Sequence, residues 1–498
     1  MLLNLARTAR IKAGRFSVFI HKILSPATLA TLTVALIGSW LLFVAPQIGV
    51  ADNGDFFRVF SGNGLYTLGS DYEASQFGYF IKEYGIYQFF NEQGNAFFSS
   101  QNLFVQVAIT LNKVFFSQKV FHISFLAAVY FLFYLTAFYL FVKGLTMKLA
   151  GWTGYLVAFL AVFIFGDLAY LAYFNSFYAE GLMLIAMLFI AASFLWFDAS
   201  AKFPYLMLLV FVFGSLLLIT AKQQNAPLAL ILTLSGLTLL TIQQERKFRL
   251  LVWISLAVIF ISGVLTYVLI PKTFVTINQY QTMSQGVLLK AQKPEKALRD
   301  LDMNPQFALL KGTTYYQKYK MIDPDSELIE RAFYDDYSFG SVLQFYLTHP
   351  SELAAMLEIS TKQAFQIRPH EMGNYDKSAQ KPFAAKSHFF SLYSDVKAKM
   401  TPPSVGLLIL LSLVFLASYN WKIPRRIKQQ DKEGLVKGAL AFLLVATGFA
   451  VIAISFIGDG EADLAKHEFL FNVCFDLALL IGIASLGKML SDRRNKSK

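Results

Sequence analysis

Residues 27–58 read ATLATLTVALIGSWLLFVAPQIGVADNGDFFR, an apolar run from Ala27 to Gly49 that ends in two carboxylates and an arginine. The run is long enough for a membrane helix, which needs ~20 predominantly apolar residues. Arg7, Arg10, Lys12, Arg15 and Lys22 precede it, as basic residues precede the core of a secretory leader. A leader's apolar core is only ~7–15 residues long, so the segment reads as an uncleaved first span.

Nine further apolar segments follow, at about 121–142, 150–167, 176–197, 204–220, 225–242, 250–271, 403–420, 438–457 and 469–488. The 498 residues are 56% hydrophobic and 15% charged, against ~25% charged in a soluble domain. An ordinary soluble enzyme, a disordered chain and a fibrous one are excluded. The fold class is an all-α polytopic membrane protein of about ten spans. With the N-terminus inside, the inner connections hold 22 of the 44 Lys and Arg residues and five acids (Asp198, Glu245, Asp431, Glu433 and Asp492). Cytoplasmic loops carry such an excess, so both termini are expected inside a cell membrane. The +12 net charge then reflects topology, and no nucleic-acid partner is expected. Cys474 is the single cysteine, which excludes an intrachain disulfide and disfavours a Cys-based metal cluster.

This topology divides the chain into a membrane module over 1–271, with a first external loop at 50–100, an external domain at 272–402 and a second membrane module at 403–498. Helix starts are predicted at Pro324-Asp325-Ser326-Glu327 and Pro350-Ser351-Glu352, where proline and acids sit in a first turn. No strand alternation occurs in 272–402, so that domain is expected to be mainly helical. Residues 101–118 form a further helix with Asn102, Gln106, Thr110 and Lys113 on one side, suited to lying in the outer interface.

Four polar constellations fall on the outer side. Asp52-Asn53-Gly54-Asp55 with Arg58 sits against a low-dielectric wall, where a raised carboxylate can act as a general base; the plain alternative is a solvated Asn-Gly turn. Glu180, with Asp167, Asn175 and Tyr178 before it, lies a turn inside the fourth span; a cavity explains it, and so does pairing with Lys222. Lys222-Gln223-Gln224-Asn225 opens the sixth span, where a lysine and free backbone N–H groups suit a phosphate, although polar turns between spans are common. Asp459, Glu461, Asp463, Lys466 and His467 precede the last span, with Asp476 deeper in it. These acids can tune a base or bind a divalent cation, and a solvated loop explains all but Asp476. The six histidines form no zinc motif, and no phosphate-binding glycine loop or nucleophile motif is present.

An acidic pair beyond the first of about ten helices, with a large late external loop, resembles the GT-C superfamily of membrane glycosyltransferases. More narrowly, the Asp52–Phe56 run, Phe174–Tyr178 with Glu180, and Lys222 with Asn225 look like the WsfD-type hexose transferases of surface-glycan assembly. Gly373-Asn374-Tyr375 and the Gly458–His467 run carry the same resemblance. It implies transfer of a hexose from a polyprenyl-phosphate donor to a glycan or lipid-linked acceptor at the outer face. Asp52 or Asp55 would be the inverting general base, and Arg58, Lys222, Lys466 and His467 would balance the donor phosphate. Asn53, Asn175, Tyr178, Glu180, Gln223, Asn225, Asn374, Tyr375, Asp459, Asp463 and Asp476 would bind substrate or support the site. No cofactor is required by this resemblance, since such enzymes vary in using a metal, and a divalent cation stays open. The rivals are a flippase of lipid-linked sugars, which calls for charges along a path between both faces, and an oligosaccharide polymerase or ligase, which favours arginine-rich external loops.

Overall fold

The computed structural model describes residues 24–69, 72–89, 98–199, 203–318, 320–400 and 404–496. The basic residues at 7–22, Lys202 and Lys498, which enter the topology argument, lie outside this set. Helices of eight or more residues are numbered in chain order. They are α1 (Pro26–Phe43), α2 (Gln101–Phe115), α3 (Ser124–Thr146), α4 (Trp152–Phe165), α5 (Glu180–Ala199), α6 (Pro204–Ala221), α7 (Leu228–Gly236) and α8 (Arg246–Val268). There follow α9 (Lys272–Gln281), α10 (Phe339–Thr348), α11 (Pro350–Gln363), α12 (Leu392–Lys399), α13 (Val405–Asn420), α14 (Lys432–Asp459) and α15 (Phe469–Lys496).

Eight of these helices are long and apolar enough to cross a membrane: α1, α3, α5, α6, α8, α13, α14 and α15. The chain is an all-α multi-pass membrane protein. Helix α5 lies at its centre, 94% buried within its apolar window against α3, α6, α14 and α15, whereas α8 and α13 are peripheral at 28% and 6%. The outward faces of α8 and α13 are leucine-, isoleucine- and valine-rich, as a hydrocarbon surround requires.

Two of the ten expected spans depart from a simple crossing helix. The segment at 150–167 breaks after Phe165, and Leu168–Asn175 continues at 54° to α4. Asp167 causes the break by capping the new turn, its Oδ1 accepting from Ala169 N at 2.8 Å, while Leu168 N bonds to Phe390 O at 2.9 Å. The segment at 225–242 is a helix over Leu228–Thr241, its last turn a 3₁₀ helix. Fourteen residues rise about 21 Å, short of the ~30 Å hydrocarbon core. Its expected start is taken up by a polar 3₁₀ turn over Gln223–Asn225.

The connections at one end of the bundle fold together. There β1 (Leu65–Thr67), β2 (Glu83–Ile86) and β3 (Val120–His122) form an antiparallel sheet in that order, with Tyr84 opposite both Thr67 and Phe121. Helix α2 packs Phe104, Val105, Ala108 and Ile109 inward and leaves Leu103, Val107, Val114 and Phe115 exposed beside Gln106, Thr110 and Lys113. Residues 277–365 build a second apolar core on the ends of α13, α14 and α15, through Leu408, Ile452, Phe456 and Phe471. Ile367 and Met372 belong to the first core, so the segment after α11 returns to the bundle. At the opposite end the short connections are basic and tied by pairs such as Lys148–Glu433 (3.0 Å) and Lys437–Glu433 (2.6 Å).

Candidate functional site

The chain leaving α1 is held in place by side chains from two other regions. Asn175 donates to Leu42 O (3.0 Å) and Ile48 O (2.8 Å), and Asn374 donates to Gly49 O (2.9 Å). Backbone bonds Gly49 N to Asn374 O and Ala51 N to Gly373 O add a short pairing. Gly373 is required there, because a Cβ would strike the carbonyl of Gly78. Asn225 similarly bonds Leu218 O at the end of α6 (2.9 Å). Asn175, Asn225 and Asn374 thus clip backbone segments, with Tyr375 partly buried beside them.

Beyond the clip, residues 52–58 turn sharply. Asp52 is buried, its Oδ1 accepting from Gly54 N (2.8 Å) and Phe56 N (3.0 Å) and its Oδ2 from the Tyr72 hydroxyl. Burial raises the Asp52 carboxyl above its ordinary value despite these donors. Asn53 N donates to Tyr178 Oη (2.9 Å), and Asn53 Nδ2 donates to Asp463 Oδ2 (2.7 Å). Asp55 lines a cleft, paired with Arg58 at 3.1 Å and in direct contact with Lys466 Nζ. Desolvation opposes its charge, but Lys466 and Arg58 outweigh that and hold the Asp55 carboxyl well below the usual range.

The cleft encloses about 640 Å³ and is lined by Asp55, Arg58, Tyr178, Glu180, Lys222 and Lys466, with Gln223 and Phe274 at its rim. Glu180, at the first turn of α5, accepts from Lys222 Nζ at 3.1 Å, so the plain pairing expected for these two exists within a cavity wall. The Lys222 ammonium also lies 3.2 Å from His467 Nδ1, and Gln224 Oε1 is 2.7 Å from the same ring nitrogen. His467 Nε2 faces Asp459 Oδ2 at 3.1 Å. Burial, with Lys222 and Lys466 nearby, keeps the imidazole neutral by lowering its pKa well below 6.5. With Nε2–H donating to Asp459, Nδ1 accepts from Lys222 and is left without a proton to give Gln224 Oε1, which only accepts.

Lys466 is 2% exposed, bonded to Asp55 and at 3.1 Å to Asp463 Oδ2. Burial alone would lower its pKa; Asp55 and Asp463 reverse this and raise it. The turn carrying Asp459 and Asp463 is held by Gly460, whose φ of +64° and close approach to Gln285 (2.5 Å from a Cβ to its carbonyl carbon) exclude a side chain. Gln285 belongs to a π-helical turn, Thr282–Val287, that continues α9, and Gln281 at the end of α9 donates to Asp459 Oδ1. The second core is thereby joined to the cleft.

The structure brings together Asp52, Asn53, Asp55, Arg58, Tyr178, Glu180, Lys222, Asp459, Asp463, Lys466 and His467. It places Asp476 elsewhere: this carboxylate accepts from Lys397 Nζ (2.6 Å), Tyr170 Oη (2.5 Å) and Tyr393 Oη (2.5 Å) in the bundle core. Sequence reading missed Lys397, Tyr72 and Gln281; Gln223 lines the cleft, and Gln224 beside it meets His467. A buried acid at Asp476 signals some partner, but only tertiary structure says which of 44 cations supplies it. Among the described residues no three His, Cys, Asp or Glu side chains come together as metal ligands.

No curated protein matches this chain, and no solved structure does. The model of the YfdI N-terminal transmembrane domain matches residues 12–498, nearly the whole length, and the chain belongs to that family of membrane proteins.

Proposed function

We propose that this protein is a membrane glycosyltransferase that moves a sugar, a hexose in the leading reading, from a polyprenyl-phosphate donor to a glycan or lipid-linked acceptor at the non-cytoplasmic face. One observation carries the reading: Arg58, Lys222 and Lys466 line a single cleft at the end of an apolar bundle, with an acid beside each. A carrier lipid keeps its phosphate at headgroup level while its tail stays in hydrocarbon. An apolar groove of about 940 Å³ between α13, α14 and α15, reaching up to Phe471, offers such a tail a path. The positive-inside distribution of lysine and arginine supports the orientation.

In this reading the three cations bind the donor phosphate and balance the charge that develops as it leaves. Asp55 holds Lys466 and Arg58 in place and is too stabilised as the anion to be an effective base. Asp52 is the general base, because burial raises its proton affinity toward the working range. The acceptor oxygen loses its proton, bonds to the anomeric carbon from the face opposite the phosphate, and the lipid phosphate departs with the bonding electrons. No divalent cation is assigned a step.

The test is transfer by the purified chain in liposomes, with labelled polyprenyl-phosphate hexoses and a lipid-linked glycan acceptor. Asp52→Asn is expected to lose transfer by roughly 10²–10⁴-fold while still binding donor. The acidic limb of the wild-type pH–rate profile is expected above pH 3.8, since the base works only when ionised. Donor crossing the bilayer intact, unchanged by Asp52→Asn, would make the protein a flippase instead.

A further inference from the structure

A second cleft, of about 780 Å³, shares no lining residue with the cation-lined one. Its walls are Tyr72, Tyr79, Lys82, Glu83, Asp376 and Ser378. These residues come from three places: the segment after β1, strand β2 with the residues leading into it, and the region after the Gly373-Asn374 clip. We propose that this cleft binds the acceptor, as a hydroxyl-rich oligosaccharide, and presents it to Asp52. The inference rests on the glycosyltransferase reading and adds to it the place and chemistry of the second substrate.

Three observations support it. First, the wall chemistry differs from that of the cation-lined cleft. Tyr72 and Tyr79 supply aromatic faces, and an acid, a base and a hydroxyl lie within one cavity, a set that matches neutral sugar rings with their apolar faces and hydroxyl edges. Secondly, the floor is built rather than loose. Asp376 is 5% exposed, its Oδ2 lies 3.2 Å from Lys82 Nζ, and its Oδ1 accepts from Ser378 N at 2.8 Å. Tyr79 Oη is fixed by Lys381 O at 3.1 Å, leaving its ring as a wall.

Thirdly, the cleft is wired to the buried carboxylate. Tyr72 lines it, and the Tyr72 hydroxyl is the group bonded to Asp52 Oδ2. Because Oδ1 is occupied by two backbone N–H groups, Oδ2 is the side of Asp52 from which a proton can arrive. An acceptor hydroxyl set against Tyr72 gives its proton to the phenol oxygen as the phenol gives its own to Asp52 Oδ2. The acceptor oxygen then bonds to the anomeric carbon, and the carbon–oxygen bond to the lipid phosphate breaks with its electron pair on the phosphate.

The experiment uses the full chain in nanodiscs and measures binding of a panel of biotinylated oligosaccharides beside binding of polyprenyl phosphate. Tyr79→Ala and Glu83→Gln are compared with Lys222→Ala, and thermal unfolding checks that each variant is folded. The expected result is that oligosaccharide binding weakens about tenfold or more in the first two variants, the loss of one good contact, while polyprenyl phosphate binds as in wild type. Oligosaccharide binding lost in Lys222→Ala and kept in the other two would overturn the inference and leave the donor reading intact. Polyprenyl phosphate binding with no oligosaccharide binding at all would do the same. If neither class binds, both the inference and the reading it rests on fail.

Discussion

Two lysine–aspartate pairs lie near the same end of the bundle and are built for different ends. Lys397 and Asp476 are 4% and 0% exposed, and two tyrosine hydroxyls fill the remaining reach of the carboxylate. Lys466 is equally buried at 2%, but Asp55 keeps 29% of its side chain exposed to a cleft and shares itself with Arg58. Burial lowers the Lys397 pKa, with Asp476 and the weaker pull of Asp167 failing to offset the lost hydration. Several acids reverse that balance at Lys466. A pair whose donors and acceptors are all spent inside the protein holds helices together. One left open on a single side keeps capacity for a charged ligand.

The sharpest way to break this contrast is to remove each lysine. Lys397→Met strands Asp476 among apolar helices, and breaking such a pair costs about 3–5 kcal/mol. Thermal unfolding in detergent should register that loss, whereas Lys466→Met should unfold close to wild type because Asp55 retains Arg58 and water. Equal destabilisation by the two variants would erase the distinction. Activity should run the other way. Loss of one charge-stabilising donor costs roughly 10²–10³-fold in turnover, so Lys466→Met should fall by that order in the transfer assay.

A smaller effect comes from Glu468, next to His467 and fully buried, where only the Ser360 hydroxyl among the described residues offsets the loss of water. Burial raises its pKa well above 4.5, so the folded chain carries a proton there that the unfolded chain releases. The native state then binds more protons, and stability from this group is lost as pH rises above about 4.5. Glu468→Gln should flatten that part of the stability–pH curve and leave the acidic end unchanged. An identical slope in the variant would mean the carboxyl is ionised in the fold, which would require a cation beside it.

These contrasts also mark what a sequence makes legible. Membrane spans are visible because hydrocarbon forces ~20 apolar residues into one block, and the charge asymmetry of short loops is equally local. Asp167 stands out in the sequence as a polar residue at the outer end of the third expected span, but its role there as helix breaker and cap, which bends that span, shows only in the fold. The sheet escaped because strands of three and four residues are too short for alternation to register. The cluster around Asp55 was legible as four separate polar runs, since each is odd for a membrane turn. Their convergence was not, because Asn53 and Asp463 are 410 positions apart and their contact is set by how α1, α14 and α15 pack.

The subtlest test compares two asparagines that look alike in sequence. Asn53 Nδ2 donates to a carboxylate, Asp463, on the Lys466 side of the cleft, and Asn374 Nδ2 donates to a backbone carbonyl in the clip behind α1. Each bond is worth about 0.5–1.5 kcal/mol net. Asn374→Ala also strips a partner from Arg368, so its loss should appear in unfolding and leave the KM for donor unchanged in the fraction that folds. Asn53→Ala removes as many bonds, since Asn53 Oδ1 also accepts from Asp55 N and Tyr178 Oη, but it frees Asp463 to draw Lys466 away from Asp55, because the same ammonium bonds both acids. A cation shifted toward Asp463 meets the donor phosphate less well in the ground state. The expected signature is therefore a raised KM for donor, with kcat little altered, which Asn374→Ala does not show. If Asn53→Ala instead behaves as Asn374→Ala does, the open pair is as structural as the closed one, and the phosphate must be held elsewhere.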